Sequence, residues 1–211
     1  MRVTQSIVLA TLNRHKYQEF EELFAVYPNI QLIQVSDLVS NPNKLSFAEE
    51  YDTYLQNAFA KARLANVATH YPSLGDDSGL EVLALDGKPG IRSARFAPAR
   101  PGISQDQANM EALLEQLPKQ TTDMTARFVC TLALVVEGIS IHATGTLEGE
   151  LIRAPRGATG FGYDPIFVPK GQQKTLAEMA PSEKNAISHR AKAVQELMEQ
   201  IKRHSIVLAK P

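Results

Sequence analysis

The sequence predicts an α/β protein, and three observations support this prediction. Residues 6–35 follow the order strand, loop, helix, strand, which is typical of α/β folds. Residues 52–70 are rich in alanine and contain no glycine or proline, which predicts a long helix. Residues 127–137 and 139–150 are typical of two long strands that join at Glu137-Gly138, which predicts a hairpin.

The first third of the chain is predicted to contain two strands and two helices. The first helical pattern carries Phe20, Leu23 and Phe24 on one face, and Pro28-Asn29 ends it. The predicted elements are a strand at residues 6–11, a helix at 16–26, a strand at 30–35 and a helix at 52–70.

The remaining elements follow from turn residues and capping signals. Gly75-Asp76-Asp77-Ser78-Gly79 consists of turn-forming residues, and Ser104 is suited to cap a helix. We predict a turn at residues 75–79, a strand at 80–85, a helix at 104–117, strands at 127–137 and 139–150, a glycine-rich loop at 155–162, a short strand at 166–168 and a final helix at 186–201. With no repeat, low-complexity tract or linker, residues 1–211 are predicted to form one domain.

The composition limits the kind of partner and the compartment. The 211 residues carry 22 basic and 23 acidic side chains, so there is no overall basic field for nucleic acid and phosphate binding must be local. The single cysteine, Cys130, excludes an internal disulfide and a CxxC zinc site, and we expect it to be a small buried side chain. We see no secretory signal or transmembrane-length stretch, and expect a cytoplasmic protein without a membrane partner.

The acidic residues form the first candidate site. Asp76 and Asp77 lie side by side between two glycines, and adjacent carboxylates in a folded protein are usually paired with cations or a metal. Such oxygen ligands suit Mg²⁺, and Glu49 or Glu50 could supply a second carboxylate. The alternatives are a surface turn at 75–79 and two glutamates that only favour the start of the next helix.

Three further segments carry candidate binding residues. Thr11-Leu12-Asn13-Arg14-His15-Lys16 lies between a strand and a helix, where backbone N–H groups favour anions, although it is no P-loop and a capped helix start is the alternative. The loop from Thr159 to Pro165 offers Phe161 and Tyr163 as stacking faces and Asp164 as an acceptor, unless its aromatics pack in the core. Lys184, His189 and Arg190 gather where the last helix is predicted to begin, and cations there are unfavourable without a ligand.

These segments, in this order, resemble the inosine triphosphate pyrophosphatase family, whose members are also called XTP/dITP diphosphatases. The matching pieces are Thr11 to Lys16, Asn57-Ala58 with Lys61-Ala62, Gly75 to Leu80, Pro89-Gly90-Ile91 with Ser93-Ala94-Arg95, Gly160 to Phe167, and Glu183-Lys184 with Ser188-His189-Arg190. The resemblance covers nearly the whole chain. It implies an elongated α/β fold, with a long central mixed sheet and helices that form two lobes around a substrate cleft, usually as a homodimer.

The resemblance also implies a reaction and a set of residues. ITP, dITP or XTP is hydrolysed between the α and β phosphates with Mg²⁺ as the cofactor, giving the monophosphate and pyrophosphate. By motif, Asp77 resembles the general base and a metal ligand, and Glu49 the second metal carboxylate. The implied substrate-binding residues are Thr11, Leu12, Asn13, Arg14, His15, Lys16, Lys61, Ser78, Phe161, Gly162, Tyr163, Asp164, Lys184, His189 and Arg190. His189 and Arg190, as donors, would pair with a 6-oxo purine and not with the amino group of adenine.

Three other functions compete with this interpretation. The related septum-inhibitor-like pyrophosphatases act on pyrimidine and modified nucleotides, but the Gly-Phe-Gly-Tyr-Asp and Ser-His-Arg segments argue against them. A nucleotide-binding regulator would bind without turnover, which the acids and lysines argue against. An aspartyl-phosphate phosphatase would use Asp76 or Asp77 as nucleophile, but the DxDx[TV] pattern is absent.

Overall fold

One mixed sheet runs through the chain. The computed structural model describes residues 5–41, 45 and 50–208. In this part of the chain the strands are β1 (Gln5–Leu9), β2 (Ile30–Gln34), β3 (Ser73–Val82), β4 (Thr125–Val136), β5 (Ile139–Leu151) and β6 (Phe167–Pro169). They are hydrogen-bonded in the order β2-β1-β3-β4-β5-β6. Strands β2 and β3 run parallel to β1, and β6 runs antiparallel to β5, so the prediction of a mixed α/β sheet is confirmed.

The helices agree with the sequence pattern except at the end of the chain. They are α1 (Arg14–Phe24), α2 (Tyr54–Thr69), α3 (Gln105–Gln116), α4 (Pro181–Ile187) and α5 (His189–Arg203). Ser104 caps α3 by accepting a hydrogen bond from the backbone N–H of Gln107, as predicted. The single final helix at 186–201 is wrong, because Ser188 has extended backbone and separates α4 from α5. Lys184 therefore lies on a different helix from Arg190.

The predicted turn at residues 75–79 is also wrong, because these residues form the interior of β3. Neither Gly75 nor Gly79 has a positive φ, so neither serves to turn the chain. Both glycines instead permit close packing: a Cβ on Gly75 would overlap the backbone oxygen of Ala58, and one on Gly79 would overlap that of Gly90. Strand β3 ends at Val82 and not at the predicted residue 85, and residues Leu83–Leu85 form a 3₁₀ turn.

We expect Gly75→Ala to destabilise the protein. The added Cβ would overlap the Ala58 oxygen and lie 2.8 Å from the Ala62 nitrogen, both backbone atoms of α2 that cannot rotate away. Overpacking of this kind typically costs about 1–3 kcal/mol, which urea denaturation can measure. Ser140→Ala, at an exposed position of β5, is the control. An unfolding free energy for Gly75→Ala within about 0.5 kcal/mol of wild type would contradict this packing.

The chain divides into two units by its internal contacts, and three strands contribute to both. The first unit contains residues 1–77, 130–145 and 190–211. Its main hydrophobic core joins one face of β1 to α1, β4 and α5, through Ile7, Phe20, Leu132 and Leu197, all fully buried. On the other face of β1, Val8, together with Ala10 just after the strand, packs with Val35 and Ala65. This alternation is what a strand buried on both faces requires.

The second unit contains residues 78–129 and 146–189. Its core joins β3, α3, β4 and β6, through Leu80, Leu113, Phe128 and Phe167. The rings of Phe128 and Phe167 lie with their centroids 4.8 Å apart, which is within the range of favourable aromatic pairs. In the described part of the chain, no helix has both the length and the apolar character needed to cross a membrane.

Candidate active site

The parallel pairing of β1 and β3 places the segment from Thr11 to Lys16 beside the two aspartates. Leu9, the last residue of β1, pairs with Leu74 of β3. Beyond this pair β1 ends, whereas β3 continues through Asp76 and Asp77. Ligands in α/β proteins commonly bind where parallel strands end in this way. The two segments that the sequence singled out separately therefore meet at one edge of the first unit.

Asp77 is buried and held by two side chains of α2. Its carboxylate accepts hydrogen bonds from Lys61 Nζ at 3.0 Å and from Asn57 Nδ2 at 3.0 Å. Asn57 and Lys61 are four residues apart, so they share one face of the helix. Gly75 lets this face approach β3, as described above. The Asp77 side chain is 1% exposed and that of Lys61 6% exposed, so this lysine is not a solvated surface residue.

Asp76 has different partners from Asp77. Its carboxylate accepts hydrogen bonds from Lys16 Nζ at 2.5 Å and from the thiol of Cys130 at 3.3 Å. Burial by itself would raise the pKa of Asp76, but the positive charges of Lys16, Arg190 and Lys61 outweigh burial and hold that pKa well below its usual range. Asp76 is thus a charged carboxylate that holds the Lys16 side chain in place.

Cys130 is fully buried, which confirms the prediction for this residue. Burial, assisted by the neighbouring Asp76 carboxylate, raises the pKa of the Cys130 thiol well above its ordinary value. Because the thiolate is the nucleophilic form of cysteine, this residue does not serve as a nucleophile. It serves instead as a hydrogen-bond donor to Asp76.

The turn before α1 keeps most of its side chains exposed. Asn13 caps α1 by accepting from the backbone N–H of Lys16 at 3.1 Å, and Thr11 accepts from the N–H of Asn13. Leu12, Arg14 and His15 are exposed. The segment is therefore a capped helix start, as the alternative interpretation predicted, and its role in anion binding stays a prediction.

Arg190 lies at the start of α5 and belongs to the same unit as the aspartates. Its Nη1 donates to Glu19 Oε2 of α1 at 2.9 Å, and both side chains are largely buried. The unfavourable position of a cation at a helix N-terminus is thus offset by an acid from another helix. In the first unit, the structure brings together Lys16, Lys61, Asp76, Asp77 and Arg190.

The second unit holds the loop from Thr159 to Pro165, called here the glycine-aromatic loop. Gly160 and Gly162 have φ values of +78° and +62°, which favour glycine. Asp164 Oδ2 accepts hydrogen bonds from the backbone N–H of Phe161 at 3.0 Å and from Lys184 Nζ at 2.7 Å. The same Lys184 nitrogen lies 5.0 Å from the centre of the Phe161 ring, within cation–π distance. Lys184 therefore contacts both the Asp164 carboxylate and the Phe161 ring.

The two aromatic rings of the loop differ in what they can do. Phe161 is half-buried, whereas Tyr163 is 3% exposed and packs in the core of the second unit. The Tyr163 hydroxyl donates to the backbone oxygen of Ser93 at 3.0 Å. Burial, with a contribution from Asp106, raises the pKa of Tyr163, so the hydroxyl stays a donor. Tyr163 presents no open stacking face, and this corrects the sequence-based expectation that both rings offer one.

His189 and Ser78, which were also predicted to bind the substrate, belong to the second unit. The His189 ring, 2% exposed, stacks on Phe128 with centroids 4.8 Å apart and an interplanar angle of 11°. Ser78 follows Asp77 directly and is half-buried. The second unit thus holds Ser78, Phe161, Gly162, Tyr163, Asp164, Lys184 and His189.

The donor set at Asp77 fits a hard divalent cation. Asp77 supplies carboxylate oxygens, which are the hard ligands that such an ion prefers, and Lys61 and Asn57 hold this carboxylate in place. Mg²⁺ commonly uses one or two carboxylates together with substrate phosphates. Among residues 5–41, 45 and 50–208, no group of three or more His, Cys, Asp or Glu is placed to hold a metal. Glu49, the expected second carboxylate, lies outside the described residues.

Sequence reasoning assigned no site role to several side chains that the structure places here. Asn57 appeared only in the motif comparison, and its four-residue spacing from Lys61 was the available signal. Glu19, Cys130 and Asp106 gave no signal, because their partners Arg190, Asp76 and Gly162 are 171, 54 and 56 residues away. Contacts of that sequence separation depend on the tertiary fold.

The fold and the site define a class: a mixed α/β protein with buried carboxylate–lysine pairs at the end of parallel strands, suited to a polyanionic ligand. Comparison with known proteins makes this specific. The model of the Ham1 family matches residues 7–200. The chain is 43% identical to a dITP/XTP pyrophosphatase of Christiangramia forsetii over 92% of this chain and 97% of that protein. For the dITP/XTP pyrophosphatase of Geobacillus kaustophilus the identity is 41%, covering 93% and 94%.

Solved structures agree with this comparison. The Ham1 protein of Staphylococcus aureus has a TM-score of 0.80 and 35% identity, covering 95% of this chain and all of that one. A HAM1 protein of Coxiella burnetii has a TM-score of 0.79 and 38% identity, covering 94% and 99%. The chain therefore belongs to the Ham1 family. This confirms the family resemblance that the motifs predicted.

Proposed function

We propose that this protein hydrolyses the non-standard purine nucleoside triphosphates ITP, dITP and XTP to the monophosphate and pyrophosphate, which removes them before they enter DNA or RNA. Relatives that are about 40% identical over nearly the whole chain are dITP/XTP pyrophosphatases. The observation that carries the proposal is the Asp77 carboxylate, which is buried and oriented by Lys61 and Asn57.

The reaction adds water across the anhydride between the α and β phosphates. Asp77 accepts the proton of the attacking water, and its two fixed hydrogen bonds keep the carboxylate in one orientation for that task. General-base assistance of this kind contributes about 10²–10⁴-fold in rate. Lys16, held by Asp76, and the turn from Thr11 bind the phosphates, and Lys61 and Lys184 offset the negative charge that develops on them.

Mg²⁺ is the cofactor that this site fits best, with Asp77 and Glu49 as its carboxylate ligands. When bound, the ion would neutralise phosphate charge and orient the triphosphate. The support for Asp77 is its buried carboxylate, which Lys61 and Asn57 hold in one orientation; Glu49 is carried over from the family motif alone. Its assignment over Glu50 stays a prediction.

Base selection rests on groups that recognise a 6-oxo purine. By the family resemblance, Phe161 supplies a ring face for the base, and Asp164, His189 and Arg190 supply polar contacts to it. Adenine presents an amino donor at position 6, which leaves the arginine and histidine donors without acceptors. A site that strands buried polar groups in this way discriminates strongly against the wrong base.

We further propose that residues 1–211 act as one pyrophosphatase domain, that the protein is a homodimer, and that it works in the cytoplasm, where its nucleotide substrates are made. The homodimer rests on the family resemblance. Size-exclusion chromatography with light scattering measures the oligomeric state directly.

Pyrophosphate release from a panel of nucleotides tests the proposed function. We expect turnover of ITP, dITP and XTP with Mg²⁺, and loss of turnover when EDTA removes the metal. ATP, dTTP and UTP are the controls, and we expect them to be hydrolysed at least about 100-fold less efficiently, as for a site that reads polar groups.

The alternatives give different outcomes in the same assay. Preferred hydrolysis of dTTP or UTP would favour a septum-inhibitor-like pyrophosphatase. Binding of ITP without any pyrophosphate release would favour a nucleotide-binding regulator. A phosphoenzyme trapped at Asp76 or Asp77 would favour an aspartyl-phosphate phosphatase.

A further inference from the structure

The glycine-aromatic loop uses two consecutive backbone N–H groups to bind carboxylates. The N–H of Phe161 donates to Asp164 Oδ2 at 3.0 Å, and the N–H of Gly162 donates to Asp106 Oδ2 at 2.8 Å. Consecutive free N–H groups in a glycine loop would form an anion site. Because both are already bound to anions, this loop is not a phosphate cradle. What it presents to a ligand is the half-buried ring of Phe161.

The two carboxylates act over different distances along the chain. Asp164 is three residues from Phe161, so it shapes the turn locally. Asp106 is 56 residues from Gly162, so it ties the turn to another part of the second unit. A loop with two glycines at positive φ loses much conformational entropy on ordering. A charge-assisted hydrogen bond from outside the loop offsets that cost.

Asp106 is carried by a well-anchored helix. It occupies the first turn of α3, where a carboxylate also interacts favourably with the helix dipole. Asn109, one turn later, accepts from the N–H of Ala97 at 2.8 Å and donates to the oxygen of Ala94 at 3.1 Å. Since Ser93 accepts the Tyr163 hydroxyl, α3, residues Gly90–Arg95 and the loop form one hydrogen-bonded assembly.

We propose that Asp106 is a positioning residue that fixes Phe161 through the Gly162 N–H and thereby sets the affinity for the purine base. This rests on the proposed function, in which Phe161 contacts the base. Asp106 touches no reacting atom, so its removal affects binding of the base more than the rate of the chemical step. Its acceptor oxygen is what matters for this role, because the partner is an uncharged N–H.

Three variants test this role in the full-length protein. Asp106→Ala removes the acceptor, Asp106→Asn keeps an acceptor oxygen without the charge, and Glu115→Ala removes an exposed acid from the same helix. For Asp106→Ala we expect the KM for dITP to rise roughly tenfold, as for a lost hydrogen bond to a charged group, with kcat within about twofold. We expect Asp106→Asn, which keeps an acceptor but forms a weaker, uncharged hydrogen bond, to raise the KM by only about two- to threefold, and Glu115→Ala to leave it unchanged.

Hydrogen exchange at the Gly162 amide of the free protein reports the anchoring without substrate. We expect faster exchange in Asp106→Ala only. An unchanged KM in Asp106→Ala, an equal effect of Glu115→Ala, or a KM in Asp106→Asn as high as that of Asp106→Ala would overturn the proposal. If wild type does not hydrolyse dITP, the proposed function is contradicted together with the role in base affinity, and the exchange rates still decide whether Asp106 anchors the loop.

Discussion

Asp77→Asn is expected to lower kcat for dITP by about 10²–10⁴-fold, the typical contribution of a general base. The amide cannot accept the proton of water, although it is nearly the same size as the carboxylate. The KM and kcat of the purified variant, together with its circular dichroism spectrum, separate a chemical effect from misfolding. Glu81→Gln makes the same exchange on the same strand, at a partly exposed ion pair with Arg127, and should leave kcat unchanged.

Asp76→Asn separates the roles of the two aspartates. Because Asp76 holds Lys16, its neutral variant should mainly raise the KM through weaker phosphate binding. If Asp77→Asn kept wild-type turnover while Asp76→Asn lost it, the assignment of the general base would be reversed.

Lys184→Met is expected to have the largest effect on stability. The Lys184 and Asp164 side chains are 7% and 5% exposed, so removal of the lysine leaves a buried carboxylate without its cation. Breaking such a pair typically costs about 3–5 kcal/mol, which denaturant unfolding measures. The control is Lys174→Met, whose partner Glu183 is also half exposed, and this change should cost at most about 1 kcal/mol.

The double variant Lys184→Met with Asp164→Asn tests the cause. If the penalty comes from the stranded charge, the double variant should be less destabilised than the sum of the two single changes. If the destabilisation of the double variant equalled the sum of the two single changes, the buried ion pair would be contradicted. A Lys184→Met variant as stable as Lys174→Met would contradict it too.

Local signals in the sequence were sufficient for most of the fold. The amphipathic pattern at Phe20 and Phe24 predicted α1, the Ser104 cap predicted the start of α3, and Glu137-Gly138 marked the hairpin between β4 and β5. Each of these features depends on residues within a few positions of one another. Their chemistry is therefore visible without the tertiary structure.

The two wrong predictions, a turn at residues 75–79 and a single final helix, have a common physical cause, which is long-range packing. Gly75 and Gly79 carry turn residues between them, yet they are glycine because α2 and the segment at Gly90 press against the strand. The break at Ser188 likewise has no proline or glycine to mark it. Local propensity cannot register a constraint that another element imposes.

At the candidate site, too, local signals indicated single residues, whereas their contacts depend on the tertiary fold. The motifs indicated Lys16, Lys61, Asp76 and Asp77 individually, but not their pairing. That Lys16 pairs with Asp76, and Lys61 with Asp77, follows from the register of β1 with β3 and from the approach of α2. Asp106 reaches Gly162 only because α3 packs in the second unit.

The products of dITP turnover test the central claim most directly. A phosphorus NMR spectrum of the reaction with Mg²⁺ distinguishes cleavage between the α and β phosphates from cleavage between the β and γ phosphates. We expect dIMP and pyrophosphate in equal amounts, with no dIDP at any time. Accumulation of dIDP and orthophosphate, or the absence of any turnover, would contradict the proposed pyrophosphatase.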